Sequence, residues 1–298
     1  MERLVYIAVD GVIFASWLFL VSLGLTFIYG VLRVLNVAHG SLYALGAYMG
    51  SSLVLLFLRA GYPTALSYLV LLGAALLIGL TVGPFLERVF LRRIYLKEEV
   101  LVLLLTFAIS LMLEDVIKLV WGVEPYLVNA PYLALGQVKV AGVAYAVYPF
   151  LLTGIAVAAG TLVWATMART RFGRLVVSVI EDREISAASG VNVPLVFTFA
   201  FTLGAILAAL GGAFTAPMIS VVPGVAVEVI VLAFAVAAIG GLGSIEGAAI
   251  GALLVGLLRA AAVHLAPELD LLAIYAVMAL VLLVRPYGLF GRAEVRRI

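Results

Sequence analysis

Apolar runs of about 20 residues alternate along this chain with short polar interruptions. Nine runs stand out, at 11–32, 37–58, 64–85, 100–120, 147–168, 195–217, 226–241, 247–264 and 271–287. Wound as a helix, a run of this length spans the hydrocarbon layer of a bilayer, so each predicts a transmembrane helix. The expected fold is an all-α integral membrane protein: one polytopic bundle over 1–298, with eight to ten spans and nine the best count. The second and seventh runs are rich in Gly and polar interruptions and are candidates for broken or re-entrant helices. The opening "MERLVYIAVDGVIFASWLFL" carries one Arg and two acids and no small-residue cleavage site, so it reads as an uncleaved first span.

Composition agrees. The chain is 66% hydrophobic and 11% charged, with a mean hydropathy of +1.27, which a soluble domain with a water-facing exterior does not need. A net charge of +2 gives no reason to expect nucleic acid, and the absence of Cys excludes disulfides and thiolate metal sites.

The basic residues orient the bundle. Arg88, Arg92, Arg93 and Lys97 lie in the connection 86–99. Arg169, Arg171, Arg174 and Arg183 lie in 169–194, and Arg285, Arg292, Arg296 and Arg297 in the tail. These are twelve of the 18 Lys and Arg. The positive-inside rule places all three regions in the cytoplasm. With nine spans the N-terminus is then outside and the C-terminus inside. The same count puts 121–146 outside as an ordered loop with Lys139 as its one basic residue.

Catalytic machinery is hard to find. There is no G-x-x-x-x-G-K-[ST] phosphate loop, no G-x-S-x-G elbow and no H-E-x-x-H. With two His and no Cys, neither a transition metal nor any other cofactor is expected in this chain, and transport becomes the leading class.

Three polar places lie within the apolar runs, where an ionisable group costs about 2.5–3.5 kcal/mol at a helix centre. Glu114, Asp115 and Lys118 are spaced so that both acids reach the lysine on a helix. They read either as a self-neutralised structural cluster or as an outer-vestibule site for a charged group. Arg259 can snorkel or pair with an acid on another helix, and His264 lies near the outer surface. The third place is "RVLNVAHGSLYALGAYMG", residues 33–50. It reads as a short cytoplasmic turn with Ser41 capping a helix that starts at Leu42. It also reads as a break between half-helices near the permeation path, with Asn36 and His39 satisfying the freed backbone beside Gly40. Gly46–Gly50, Gly79–Gly83 and Gly243, Gly247 and Gly251 repeat the four-residue spacing that lets helices approach closely. "HGSLYALG" and "LGSIEGAA" each put a Gly-Ser pair, Gly40-Ser41 and Gly243-Ser244, before a small-residue helix.

In the connection 169–194, "RTRFGRLVVSVIEDREISAASGVN" is amphipathic. Val176, Val179, Ile180 and Ile185 are expected to face the bundle, and Arg174, Asp182 and Arg183 to face water.

These residues bring out a resemblance. "GLTFIYGVLRVLNVAHGSLYALGAY", "LEDVIKLVWG", "TRFGRLVVSVIEDREISAASGVN" and "AIGGLGSIEGAAIGALLVGLL" occur in that order from about Gly24 to Gly288. Together they are similar to the membrane permeases of branched-chain amino-acid ABC importers, specifically the H-type subunit. The chain departs from the family pattern at Glu184-Ile185-Ser186, at Val177 and at Glu246.

The resemblance implies half of a translocation pore for branched-chain or other hydrophobic amino acids. The implied partners are a second permease (M-type, or a copy of itself), two cytoplasmic ATPase subunits that use the ATP, an external solute-binding protein and membrane lipid. It also implies that Arg174, Glu181, Asp182, Arg183, Glu184, Gly190 and Asn192 belong to a coupling segment seated on the ATPase. Glu184 would be the charged anchor and Gly190 the helix-ending residue. Asn36, His39, Gly40, Ser41, Gly243 and Ser244 are the expected pathway or helix-break positions. The alternatives are a self-contained secondary transporter or channel using Glu114, Asp115 and Lys118 for ion coupling, and an ABC permease for amides or urea.

Overall fold

Lipid offers no partner to a backbone N–H or C=O, so the apolar runs close their hydrogen bonds internally as helices. The computed structural model describes residues 2–95, 97–140 and 142–291; Arg292, Arg296 and Arg297 of the basic tail lie outside them. In chain order the helices are α1 (Glu2–Leu32), α2 (His39–Arg59), α3 (Ser67–Val89), α4 (Glu99–Trp121), α5 (Ala130–Ala134), α6 (Tyr148–Arg169), α7 (Arg171–Glu181) and α8 (Arg183–Ala188). They continue as α9 (Val193–Thr215), α10 (Val225–Gly240), α11 (Ile245–Leu265) and α12 (Asp270–Val284). Among the described residues, seven helices are long and apolar enough to cross a membrane, and α10 and α12 are shorter apolar helices at the seventh and ninth predicted positions. The chain is a polytopic all-α membrane bundle.

Helix α9 is the axis of the bundle, the most buried of the long helices. Helices α1, α2 and α3 pack along it, and α11 runs beside α1. Small residues make this possible. A Cβ on Gly24 of α1 would lie 2.6 Å from the Gly204 carbonyl oxygen of α9. Gly46 and Gly50 of α2 meet Ala209 and Ala213, and Gly79 and Gly83 of α3 meet Ile206 and Ala205. Gly247 and Gly251 of α11 meet Gly240 and Val236 of α10. The four-residue glycine spacings are therefore packing faces. Gly243 is different: its φ of +87° makes it a turn residue, and it lies against Gly30.

The two ends of the bundle differ in chemistry. One gathers the connections 33–38, 90–95 with 97–98, 170–192, 241–244 and 285–291. Arg183 reaches Leu32, Arg92 reaches Thr198, and the Leu289 amide bonds the Ile239 carbonyl. This is the basic, cytoplasmic end by charge. At the other end lies an antiparallel hairpin, β1 (Gln137–Val140) and β2 (Val143–Ala146), with Gln137 opposite Ala146. The loop that carries it is tied down by paired backbones at Tyr126 and Val221 and by the Tyr68 hydroxyl donating to Pro131.

Helix α4 stands at the periphery. It is fixed at its outer end, where the Trp121 indole donates to Ser52 at 2.6 Å, and it exposes Leu101, Leu104, Phe107 and Met112.

Replacing Gly46 by Leu drives a side chain into the α9 backbone, whereas Gly73 has open space around its Cβ position. Gly46→Leu should cost about 1–3 kcal/mol or more through overpacking and visibly lower the thermal midpoint in detergent. Gly73→Leu should not. Equal midpoints for the two variants would contradict this packing.

Candidate functional site

Helix α1 ends at Leu32 because the next residue turns left-handed: Arg33 has a φ of +59°, a sparsely populated conformation for a side chain with a Cβ. The Arg33 amide still bonds the Tyr29 carbonyl, and residues 34–38 then run back into the bundle without helical bonds. The Thr106 hydroxyl of α4 stands in for them, donating to the Leu35 carbonyl at 3.2 Å and accepting from the Val37 amide at 3.3 Å. Helix α2 starts at His39, whose Nε2–H donates to the Val21 carbonyl at 3.0 Å. Val21 lies about 16 Å up α1 from its end, at 1.5 Å per residue. The chain therefore breaks at membrane depth, and α2 points its positive N-terminal end into the interior. This differs from the expected surface turn. The helix begins at His39 with Ala38 at the cap and no side-chain cap, so Ser41 is not its cap.

The junction exposes Arg33 and Leu35 but buries its other polar side chains, which are incompletely paired. Asn36, His39 and Ser41 are at most 1% exposed. Both amide atoms of Asn36, Nδ1 of His39 and the Ser41 hydroxyl lack a partner among the described residues. Each such group costs about 1–3 kcal/mol, and the hydroxyls of Ser22 and Thr26 on α1 and of Tyr48 and Ser51 on α2 are unpaired as well. Gly40 allows α2 to touch Ala226 and Ile230 at the start of α10.

The cytoplasmic segment forms two helices in place of one. The Thr170 hydroxyl caps α7 at Gly173. The Asp182 carboxylate accepts from the Glu184 and Ile185 amides at 2.9 Å and starts α8. Gly190, with a φ of +85°, ends that stretch, and Asn192 caps α9 at Leu195. The new start at Asp182 resets the helical phase. Val176 and Val179 are buried as expected, but Ile185 is 66% exposed and Arg183 turns inward. Its guanidinium donates to the Leu32 carbonyl at 3.0 Å and lies 4.9 Å from the Phe197 ring. Burial, then the neighbouring Arg33, lowers its pKa. Arg174, Glu181 and Glu184 remain exposed.

Beside this joint is a clamp that the sequence pattern did not single out. The Glu87 carboxylate is fully buried at the end of α3. It accepts from Arg92 at 3.0 and 3.2 Å, from the Tyr95 hydroxyl at 3.1 Å and from the Thr198 hydroxyl at 2.7 Å. Burial, followed by the Glu87 charge and hydrogen bond, raises the Tyr95 phenol above its ordinary range. The base of α9 is thus fixed to α3.

Toward the outer end opens a cleft of about 520 Å³. Phe14, Trp17, Met218, Ile219, Val229 and Leu232 give it apolar walls, and Tyr43, paired with Thr215, closes its inner end. Asp10, Glu228 and Arg259 add charge. Arg259 is held at 3.0 Å by Asp270 and lies 4.2 Å from the Phe14 ring centre, and His264 pairs with Asp10 at 2.7 Å. Glu228, exposed in the first turn of α10, has no ion pair among the described residues.

Tyr43 lies one helical turn from His39. Beyond the junction is a second cavity of about 240 Å³, lined by Arg33, Leu35, Tyr95, Lys97 and Arg183 among others. The stretch from Val34, on the inner pocket, to Tyr43, on the outer cleft, therefore lies between the two. Other candidate positions lie apart from both. Lys118 sits 3.6 Å from Glu114 and 3.8 Å from Asp115 on the periphery, and Ser244 caps α11 at Gly247 beside the turn at Gly243.

The family model for the permease component of branched-chain amino acid transport systems matches residues 7–282. Similar proteins include the "High-affinity branched-chain amino acid transport system permease protein LivH" of Escherichia coli (strain K12), 30% identical over 97% of this chain and 96% of the relative. The protein of the same name from Salmonella typhimurium is 28% identical at the same coverage. "High-affinity branched-chain amino acid transport system permease protein BraD" of Pseudomonas aeruginosa is also 28% identical over 97% of this chain and 96% of that one. No solved structure matches.

Removing the Glu87 carboxylate leaves Arg92, Tyr95 and Thr198 without their shared acceptor. Glu87→Ala should destabilise the purified protein by about 1–3 kcal/mol, read as a lower thermal midpoint. The exposed Glu98→Ala is the control. An unchanged midpoint for Glu87→Ala would refute the clamp.

Proposed function

The chain belongs to the family of branched-chain amino acid transport permeases, and on that premise we propose that it forms half of the membrane path of an ATP-driven importer for branched-chain amino acids. Members are transport subunits rather than enzymes, and the chain is a multi-pass protein of the cell membrane. Its partners in this reading are a second permease, two cytoplasmic ATPase subunits that consume the ATP, and an external binding protein that delivers the amino acid to the outer cleft. The cleft suits such a solute. Its apolar walls accept an aliphatic side chain, Glu228 faces the ammonium, and Arg259 offers a cation toward the carboxylate.

The observation that carries the coupling is the contact from Arg183 to the Leu32 carbonyl. It joins the cytoplasmic helices to the last residue before the break. Movement of α7 and α8 by the ATPase dimer is transmitted to Leu32, and from there to the buried stretch between the outer cleft and the inner pocket. Exposed Glu184 is the proposed anchor on the ATPase, and Gly190 lets the chain leave α8 for α9.

The test is uptake by the whole importer in vesicles. Arg183→Ala removes a charged hydrogen bond of about 1.5–3 kcal/mol, and uptake per ATP hydrolysed should fall about tenfold or more. Basal hydrolysis should persist. Glu184→Lys should instead abolish substrate stimulation of hydrolysis while membrane insertion stays normal. Undiminished coupling in Arg183→Ala, or uptake without any ATPase, would overturn the reading. Glu228→Gln should lower uptake about tenfold with hydrolysis still stimulated by the loaded binding protein; wild-type uptake would remove Glu228 from the path.

A further inference from the structure

Between α3 and α6 lies a groove of about 400 Å³ that the transport reading does not use. Leu151, Ile155, Ala158 and Leu162 of α6 fall on one helical stripe and form its long wall. Leu72 of α3 stands opposite, and Leu210 and Phe214 of α9 make the floor. Leu69 and Leu162, on the rims, are 65% and 69% exposed, so the groove opens sideways toward lipid.

The groove follows from the way the helices pack. Helix α3 lies along α9, whereas α6 lies along α1 and scarcely touches α9. The face of α6 turned away from the groove is the one held to α1: the Ser16 hydroxyl donates to Thr153 at 2.9 Å, and the Phe19 ring packs at Gly160. That leaves the stripe from Leu151 to Leu162 without a helix against it.

Length, depth and chemistry define what fills it. Leu151 lies in the first turn of α6, at the outer end of the bundle. From there to Leu162 is about 16 Å at 1.5 Å per residue, about half of a hydrocarbon layer of about 30 Å. The groove is therefore one leaflet deep, whereas a spanning helix from another subunit would need a seam through the whole layer. Its outer end is closed by aromatic rings, as suits the membrane interface: Tyr68 lies 6.1 Å from Tyr148, and Tyr148 lies 5.9 Å from Tyr132. Tyr68 is the one lining residue with a polar side chain. Its hydroxyl is already given to the Pro131 carbonyl, and that of Tyr148 to the Phe214 carbonyl. No charged side chain lines the groove. The surface thus reads an apolar chain and has nothing with which to read a headgroup.

We propose that this groove holds one acyl chain of an outer-leaflet phospholipid, selected by chain length and not by headgroup. The chain fills the space between α6 and the body formed by α3 and α9. Helix α6 runs on into α7 with only Thr170 between them, so a fluid filler here lets the helix that leads to the cytoplasmic joint shift against the clamped body. The assignment depends on which end of the bundle faces outward and is independent of the solute carried.

The test uses the purified full chain in detergent, titrated with phosphatidylcholine and read by thermal midpoint and by lipid retained in native mass spectrometry. Dioleoyl phosphatidylcholine should raise the midpoint and leave one lipid bound. Dihexanoyl phosphatidylcholine, with the same headgroup, should do neither, and dioleoyl phosphatidylglycerol should match the dioleoyl phosphatidylcholine. Ala158→Phe fills the groove from α6 and Leu72→Trp from α3; each should remove the retained lipid and the lipid-dependent shift. Val157→Phe, exposed on another face of α6, should keep both. An equal effect from the dihexanoyl lipid, a dependence on headgroup, or a shift that survives both groove-filling variants would overturn the proposal. The chain has no Cys, so Ala158→Cys reports on a protein occupant: a disulfide-linked dimer in membranes would give the groove to a second copy and overturn the lipid.

Discussion

A backbone that leaves its helix inside a membrane must find other partners for every N–H and C=O, and the stretch from Arg33 to Ala38 is built around that constraint. The break is held from two sides. Thr106 of α4 serves both the Leu35 carbonyl and the Val37 amide, and the Val21 carbonyl holds His39. One hydroxyl at the right depth therefore ties an otherwise peripheral helix to the centre of the molecule. The glycine faces follow from the same geometry. For α2 to begin level with the middle of α1, it must fit among α1, α9 and α10 at once, and Gly40 and Gly46 remove the side chains that would stop it.

What the sequence displayed and what it concealed divide along the range of the contacts. The positions of the nine apolar helices, seven of them long enough to span and two shorter, and the amphipathic stripe at Val176 and Val179 follow from patterns of neighbouring residues, which are a local property. The pairing of Arg259 with an acid was also legible, since a cation in an apolar run needs one, and Asp270 lies eleven residues on. The depth of the junction was not. It depends on Val21, 18 residues away, and on Thr106, about 70 residues away, and no window around "NVAHGS" contains either. The inward turn of Arg183 was missed for a different reason. Asp182 restarts the helix, so a stripe extrapolated from α7 puts Ile185 inside and Arg183 outside, the reverse of what is found. Glu87 and Glu228 looked like ordinary acids near helix ends. Burial among donors distinguishes the first and a position on the cleft wall the second, and both are tertiary facts.

The unpartnered polar atoms of Asn36, His39 and Ser41 have a consistent place in this picture. A structure that had settled permanently in one arrangement would gain by pairing them or by replacing them with apolar residues of similar shape. Their retention between two cavities is what a segment needs if its partners change during a transport cycle, because buried polar groups that lack partners in one state can gain them in another. The left-handed Arg33 fits the same requirement. It is a strained hinge residue placed where α1 hands over to the break, and strain of this kind favours a segment with more than one accessible arrangement.

The two cytoplasmic joints differ in strength, and this bears on where motion goes. Glu87 gathers hydrogen bonds from Arg92, Tyr95 and Thr198 in a fully buried site, so α3 and α9 move as one body. Arg183 meets the end of α1 through a single hydrogen bond to Leu32, with the Phe197 ring beneath it. One charged hydrogen bond of about 1.5–3 kcal/mol shifts a two-state equilibrium by about one to two orders of magnitude without fixing it. In the proposed cycle, force on α8 therefore leaves the α3–α9 body intact and is taken up at Leu32 and Arg33. The coupling rests on this contrast: a stiff clamp beside a weaker joint directs the displacement into a segment whose polar groups are not yet paired.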